Sequence, residues 1–418
     1  MSAQTTATII TIGDELLIGQ VIDTNSAYIA QQLNKHGFAV KQRVAVGDTW
    51  NDIWQALETA EKQSQIVIIT GGLGPTADDI TKPLLCQYFG GTMVMHEPTL
   101  AHVTHIFEHI LKRPMIERNR QQAMVPDVCK VLHNQRGTAP GMQFEKNGVY
   151  FFALPGVPHE MKGLIDSKVL PVITQTFPQQ IIIHKTLLTA GIGESFLAEL
   201  INDFEAQLPS FIKLAYLPNY GMVRLRLTAN GTHERSIKEA IETQFATLQQ
   251  LVAPYLVVNE DLSLQAVVGN LLLKKGRTMA TAESCTGGYI AHLITAQSGA
   301  SRYYKGSVVS YDNEVKQEVL SVRSDTLALH GAVSEPVVEE MATGILHLLN
   351  VDYAIAVSGI MGPDGGTPEK PVGTVWVAVA SKKQTLTQKF HFRFDRQRNI
   401  DLTAVNALNM LRKLIIEG

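Results

Sequence analysis

The run TAESCTGG, residues 281–288, places a hydroxyl where acyl or phosphate chemistry can occur. The apolar stretch from Thr278 to Ala282 predicts a strand, and the residues from Gly287 onward predict a helix. Ser284 therefore falls at the turn between them. A hydroxyl there faces backbone N–H groups and the positive end of a helix dipole, which suit an oxyanion or a phosphate. Thr286, Gly287 and Gly288 let a ligand approach closely. Taken alone, the position reads first as a helix N-cap, since serine often serves as one. Further residues add weight to the chemical reading. The strand GSVVSY, residues 306–311, brings Tyr311 and Lys316 to the same kind of strand end. A lysine in a closed pocket loses charge by desolvation and can accept a serine proton, whereas a lysine on a helix face is usually a solvated charge. Ser358 and Gly359 open a glycine-rich loop, SGIMGPDGGT, after a strand from Tyr353 to Val357. Arg396 and Arg398 follow a polar-alternating strand from Gln388 to Phe394, and either arginine can pair with a phosphate.

A second constellation lies near the amino end. Three expected strands each run into a glycine-bearing turn: Gly13-Asp14-Glu15, then Gly71-Gly72-Leu73-Gly74-Pro75-Thr76, then Pro155-Gly156-Val157-Pro158. In an open parallel sheet, ligands bind beyond the carboxyl ends of the strands. Glycine turns there admit phosphates to backbone N–H groups. Asp14, Glu15, Asp78, Asp79 and Glu160 sit in or beside these turns. A phosphate cradle with clustered acids suits a hard divalent cation bridging to a diphosphate. Any one such loop is as readily a plain tight turn. Three converging on one sheet edge favour a site.

The elements that must hold these residues read as three segments. Residues 1–175 alternate short β-branched runs with helical patterns, including Ile66 to Thr70 and Val149 to Leu154 as strands and Ser26 to Leu33 as a helix. That alternation predicts a doubly wound α/β domain. Residues 176–256 are smaller and α+β in pattern: strands from Lys185 to Ala190 and Val223 to Ala229, helices from Glu194 to Phe204 and Ser236 to Val252. Residues 257–418 alternate strand and helix again. The expected architecture is therefore two α/β domains with mostly parallel sheets, joined by a small α+β domain. A length of 418 residues suits two or three domains.

Composition narrows the function. Hydrophobic residues are 45% and charged residues 18%, an ordinary globular balance. The net charge of −3 argues against a nucleic-acid binder. Cys86, Cys129 and Cys285 form neither a disulfide frame nor a zinc spacing. The amino terminus has no signal-peptide pattern, and no apolar run approaches the roughly 18 residues of a membrane span. The expectation is a soluble cytoplasmic protein without a membrane partner.

TIGDELLIGQVIDTNS, TGGLGPTADDITK, NQRGTAPGM and LPGVPHEM resemble the molybdopterin-binding-like domain at the front of CinA (competence/damage-inducible protein A) proteins. AESCTGG, SYDNEVK, GAVSEP and SGIMGPDGGTPEKPVGTVW resemble the CinA carboxyl-terminal domain, over residues 262–415. The resemblance implies nicotinamide mononucleotide deamidation by the carboxyl-terminal domain without a cofactor. Ser284 would be the nucleophile, Lys316 its base, and Tyr311 a helper. Ser358 would contact substrate, Arg398 would hold its phosphate, with Arg396 the rival, and backbone amides near Gly287 would hold the oxyanion. Met361 stands where the family has alanine, which crowds that loop. For the front domain the resemblance implies ADP-ribose pyrophosphatase activity with a divalent metal of the magnesium or cobalt type and potassium as a helper. Gly71, Gly72, Gly74 and Thr76 would bind phosphate. Asp78 and Asp79 would supply acids, with less definite roles for Asp14, Glu15 and Glu160. Relatives of that domain bind molybdopterin instead. The middle segment resembles a KH-type domain, yet its nearest loop, Gly191-Ile192-Gly193-Glu194, lacks the GxxG spacing. Pro178 to Tyr255 holds six Lys or Arg and seven Asp or Glu, so a spacer or dimerisation module is expected there. The family implies a homodimer. The competing class is a binding protein in DNA uptake or repair.

Overall fold

The run Ile66–Thr70 is buried at every position and lies inside a six-stranded sheet. An all-apolar strand is what a parallel sheet covered on both faces requires. In this computed structural model, which describes residues 5–75, 79–219 and 221–418, its neighbours are Thr6–Ile12 and Val149–Leu154, both parallel to it. Ala39–Val46 adds a parallel edge beyond Thr6–Ile12. Gly141–Lys146 and Lys130–Leu132 extend the other side as antiparallel strands. The sheet's two faces feed two cores. One gathers Ile10, Val67, Ile69 and Phe151 under the helix Trp50–Gln63, and the other gathers Ile9, Ile68, Phe152 and Leu164. Asp23 starts the helix Thr24–Lys35 by accepting the Ser26 N–H at 2.8 Å.

The chain divides into two compact units, Met1–Ile182 with Asn230–Glu234, and Ile183–Ala229 with Arg235–Gly418. The second unit carries two sheets. The smaller has the strand order Ile212–Asn219, Met222–Gly231, Ile181–Ala190, Leu256–Val258. Helix Glu234–Leu251 buries Ile237, Ile241, Phe245 and Leu248, the stripe that a 3.6-residue period dictates.

The larger sheet has the order Tyr304–Val309, Met279–Glu283, Tyr353–Gly359, Thr374–Ser381, Thr385–His391. The first three strands are parallel and the last two antiparallel. Side chains alternate between faces. On one face Met279, Ile355, Val357, Val377 and Val379 share a core with two helices. Helix Leu264–Lys275 contributes Val268 and Leu272, and helix Arg396–Glu417 contributes Leu408 and Leu411. The opposite face is made almost wholly of alanines: Ala280, Ala282, Ala354, Ala356, Ala378 and Ala380. Small side chains there let helix Glu335–Leu348 lie close, through Val337, Val338, Met341 and Ile345.

Several sequence-derived bounds shift. The helix expected from Glu194 to Phe204 is two helices, Glu194–Leu200 and Asn202–Ala206, interrupted at Ile201. The strand expected from Gly306 to Tyr311 is Tyr304–Val309, so Tyr311 lies in the turn beyond it. The strand expected from Gln388 to Phe394 is Thr385–His391. It is an edge strand, with few buried residues to fix its limits. Thr76 and Asp78 lie outside the described residues. No described helix is long and apolar enough to cross a membrane.

Candidate functional site

Strand Met279–Glu283 is buried throughout and ends beside Ser284. The Ser284 N–H donates to Val357 O at 3.0 Å, and the Ser310 N–H donates to Glu283 O at 2.9 Å. The turn is thereby sewn to both neighbouring strands. Gly287 and Gly288 have φ of 61° and 93°, a left-handed backbone that other residues adopt only with strain. Helix Tyr289–Thr295 then begins.

Ser284, Tyr311, Lys316, Ser358, Gly359 and Arg396 all line one cavity of about 200 Å³. Cys285, Asn313 and Met361 share its wall, whereas Thr286, Gly287 and Gly288 do not. Lys316 is 1% exposed, and burial pulls its pKa below the usual lysine value, against the opposing pull of Asp312. Its Nζ donates to the carbonyls of Ser310 at 2.7 Å, Tyr311 at 3.4 Å and Asp312 at 3.5 Å. These carbonyls, and not the Ser284 hydroxyl, are its hydrogen-bond partners. Asp312 caps helix Asn313–Glu318 through the Glu314 N–H, which fixes the turn from which Lys316 reaches back.

Arg396 donates from Nη1 to Gly362 O at 2.8 Å and from Nη2 to the Tyr311 hydroxyl at 3.2 Å. Arg398 instead stacks its guanidinium 4.0 Å from the centre of the Phe394 ring and does not line the cavity. Of the two arginines, the geometry brings Arg396 to the site. Ser358 is buried and donates to Ala332 O at 2.8 Å, tying the GAVSEP segment to the cavity wall. Thr286 turns inward, and its hydroxyl donates to Glu283 at 2.7 Å. The Gly287 N–H is occupied by Ser284 O at 3.2 Å, so this amide serves the turn and is not free for an oxyanion. Met361 is 3% exposed and packs into the core, which accommodates its bulk.

Sequence reasoning left Glu283 and Asn313 without a role in the site. Glu283 carried a signal: a carboxylate closing an apolar strand directly before a glycine turn. Cys285 is a buried thiol whose pKa burial pushes up to about 12.

In the first unit the three glycine turns do meet. Glu15, Gly71 and Gly156 line a cavity of about 130 Å³ with Thr11, Asp23 and Asn25. A Cβ on Gly71 would lie 2.2 Å from Ile12 O, so only glycine allows the two turns to approach so closely. Asn25 bridges turns, its Nδ2 donating to Gly156 O at 2.7 Å and Thr70 Oγ1 at 3.3 Å. The carboxylates are more scattered. Asp14 accepts the Asp48 N–H at 3.2 Å. Asp79 accepts the Gly74 N–H at 2.9 Å, folding back over its own loop. Glu160 accepts from Asn134 Nδ2 at 2.5 Å, and burial raises its pKa. Neither Gly72, Gly74, Asp14, Asp79 nor Glu160 lines that cavity. Among the described residues no group of three His, Cys, Asp or Glu side chains is placed to hold a metal ion. The described carboxylates thus do not form a ready-made metal cage.

The class is then defined: a chain of α/β sheets with a KH-like domain between them, carrying a serine and a buried lysine on one cavity. Residues 8–175 match the family described as "Probable molybdopterin binding domain", residues 184–257 the "Damage-inducible protein CinA KH domain", and residues 261–415 the "CinA C-terminal domain". A CinA-like protein of Flavobacterium psychrophilum is 47% identical over 99% of this chain and 99% of its own. One from Cytophaga hutchinsonii is 45% identical over 100% of both. A CinA superfamily crystal structure from Klebsiella pneumoniae is 41% identical, covers 37% of this chain and 97% of its own, and has a TM-score of 0.36. The chain belongs to the CinA family.

Proposed function

We propose that the cavity of the second unit hydrolyses the carboxamide of nicotinamide mononucleotide, giving nicotinate mononucleotide and ammonia. The observation that carries this reading is the opening of Ser284 and the buried Lys316 onto one small cavity that also holds Arg396. Neutral Lys316 exchanges a carbonyl contact for the Ser284 hydroxyl, directly or through one water, and takes its proton. The serine oxygen bonds to the carboxamide carbon. As the C–N bond breaks, the amine takes the proton back from Lys316 and leaves as ammonia. Water, deprotonated in turn by Lys316, then attacks the ester. The ester C–O bond breaks, the acid departs and Ser284 regains its proton. Arg396 offers a guanidinium to the substrate phosphate and is steadied by Tyr311 and Gly362. The test is ammonia release from nicotinamide mononucleotide by the purified chain, with the acid product identified by chromatography. No turnover at any pH would overturn the reading.

For the first unit, the convergence of three glycine turns on one cavity supports cleavage of the ADP-ribose diphosphate, with a divalent metal and potassium as added cofactors. The same turns also suit molybdopterin held without hydrolysis. Formation of AMP from ADP-ribose in magnesium or cobalt buffer separates the two. A cytoplasmic homodimer belongs to this proposal, and light scattering tests the dimer. A binding role in DNA uptake or repair is the competing class, and the balanced charge of the middle segment speaks against it.

A further inference from the structure

Glu283 is 0% exposed, and its carboxylate is held by four donors. Oε1 accepts the Thr281 hydroxyl at 3.1 Å and the Ala291 N–H at 2.8 Å. Oε2 accepts the Thr286 hydroxyl at 2.7 Å and the Ile290 N–H at 3.0 Å. These partners are hydroxyls and amides at a helix start, with no cation among them. Burying a carboxylate in this way is costly unless every lone pair is used, and here the helix N-terminus supplies both amides and a favourable dipole. A cap needs only one acceptor from a short side chain next to the helix. This acid instead comes from the preceding strand and spans the whole Ser284 turn.

Its backbone extends the same device. Glu283 O accepts the Ser310 N–H at 2.9 Å, and Ser310 O in turn accepts Lys316 Nζ at 2.7 Å. Thr281, bonded to one carboxylate oxygen, also meets the Tyr304 hydroxyl at 2.7 Å and Ser307 Oγ at 2.9 Å on that neighbouring strand. One residue therefore ties the nucleophile's turn, the helix behind it and the strand end whose Ser310 carbonyl holds the lysine.

We infer that Glu283 is a positioning residue: its carboxylate holds the Ser284 turn against the helix behind it, beside the strand end whose Ser310 carbonyl holds Lys316, without touching substrate, and is required for the acylation step. This rests on the reading of Ser284 as nucleophile. Glutamine has the same shape but offers one acceptor oxygen, and its NH₂ must face two donors. A misplacement of this kind at a reacting centre costs about a hundredfold in rate.

The experiment uses the full chain with Glu283→Gln and, as a milder variant, Thr286→Val. Three quantities are read: kcat and KM for ammonia release, the rate of Ser284 labelling by a fluorophosphonate, and the thermal midpoint. The expected result for Glu283→Gln is a folded protein with kcat down about a hundredfold, KM within about threefold, and labelling slowed in parallel. Thr286→Val should show a smaller loss of the same form, and it carries the test alone if Glu283→Gln does not fold. A folded Glu283→Gln, or failing that a folded Thr286→Val, with wild-type kcat and labelling overturns the inference, as does a change in KM or thermal midpoint alone. Wild-type protein that releases ammonia but is not labelled at Ser284, with Ser284→Ala still active, overturns the serine reading and the inference with it.

Discussion

Ser284 and Cys285 stand side by side on one cavity, and burial separates them chemically. A thiol attacks as thiolate, and a pKa of about 12 leaves Cys285 almost wholly protonated at neutrality. Cys285→Ala should therefore retain most deamidation, whereas Ser284→Ala should lose it by about a thousandfold or more. Ammonia release from the two folded variants checks this, and an active Ser284→Ala beside a dead Cys285→Ala would reverse the assignment. Lys316 gives a pH dependence of defined sign. An ordinary lysine titrates near about 10.4, and burial lowers this one. Because the unprotonated amine is the reactive form, kcat/KM should rise with pH through a midpoint below the usual lysine value. Lys316→Arg should be inactive at every pH, since guanidinium stays charged. A flat profile, or a working arginine variant, would remove the base. At this scale the shared cavity of Ser284 and Lys316 was legible because a strand-to-helix turn, and a strand end with a helix starting just beyond it, announce themselves in sequence. Glu283 was not, because two of its four partners are backbone amides, which sequence does not display.

The helix Arg396–Glu417 decides which arginine reaches the cavity. Two residues along a helix rotate a side chain by about 200°, so Arg396 and Arg398 face nearly opposite ways. Neighbouring charges in a linear text cannot show that unless the helix start is known. Asp395 starts the helix by accepting the Arg398 N–H at 3.0 Å, and the buried Asn399 donates to Met361 O and Phe394 O, both at 3.0 Å. Loss of a charged contact made to substrate costs about 1.5–3 kcal/mol. Arg396→Ala should thus lower kcat/KM by about ten- to a hundredfold, and Arg398→Ala should change it little. Steady-state kinetics on both variants would expose a reversed order. Asn399→Ala strands the buried Met361 carbonyl and should destabilise the second unit by about 1–3 kcal/mol, read from urea unfolding. Elements with a strong apolar signal, such as Ile66–Thr70 and Val149–Leu154, were legible to the residue. The edge strand Thr385–His391 was not, since alternating exposed positions do not mark where pairing stops.

At the scale of the molecule, the two candidate sites belong to different compact units. Each has its own sheet, its own glycine turns and its own cores, and the proposed reactions share no residue. If each unit keeps its own chemistry, damage to one loop should not spread to the other activity. Asp79 accepts the Gly74 N–H and so ties back the glycine turn that follows strand Ile66–Thr70. Asp79→Ala frees that amide and loosens the loop. It should reduce ADP-ribose cleavage by about tenfold or more, while deamidation stays within about twofold of wild type. A chelator should likewise suppress only the diphosphate reaction, because the steps assigned to Ser284 and Lys316 use side chains alone. Both activities are measured on the same preparation, so a misfolded sample shows itself as loss of both. A folded Asp79→Ala protein with impaired deamidation would mean that the units are energetically coupled.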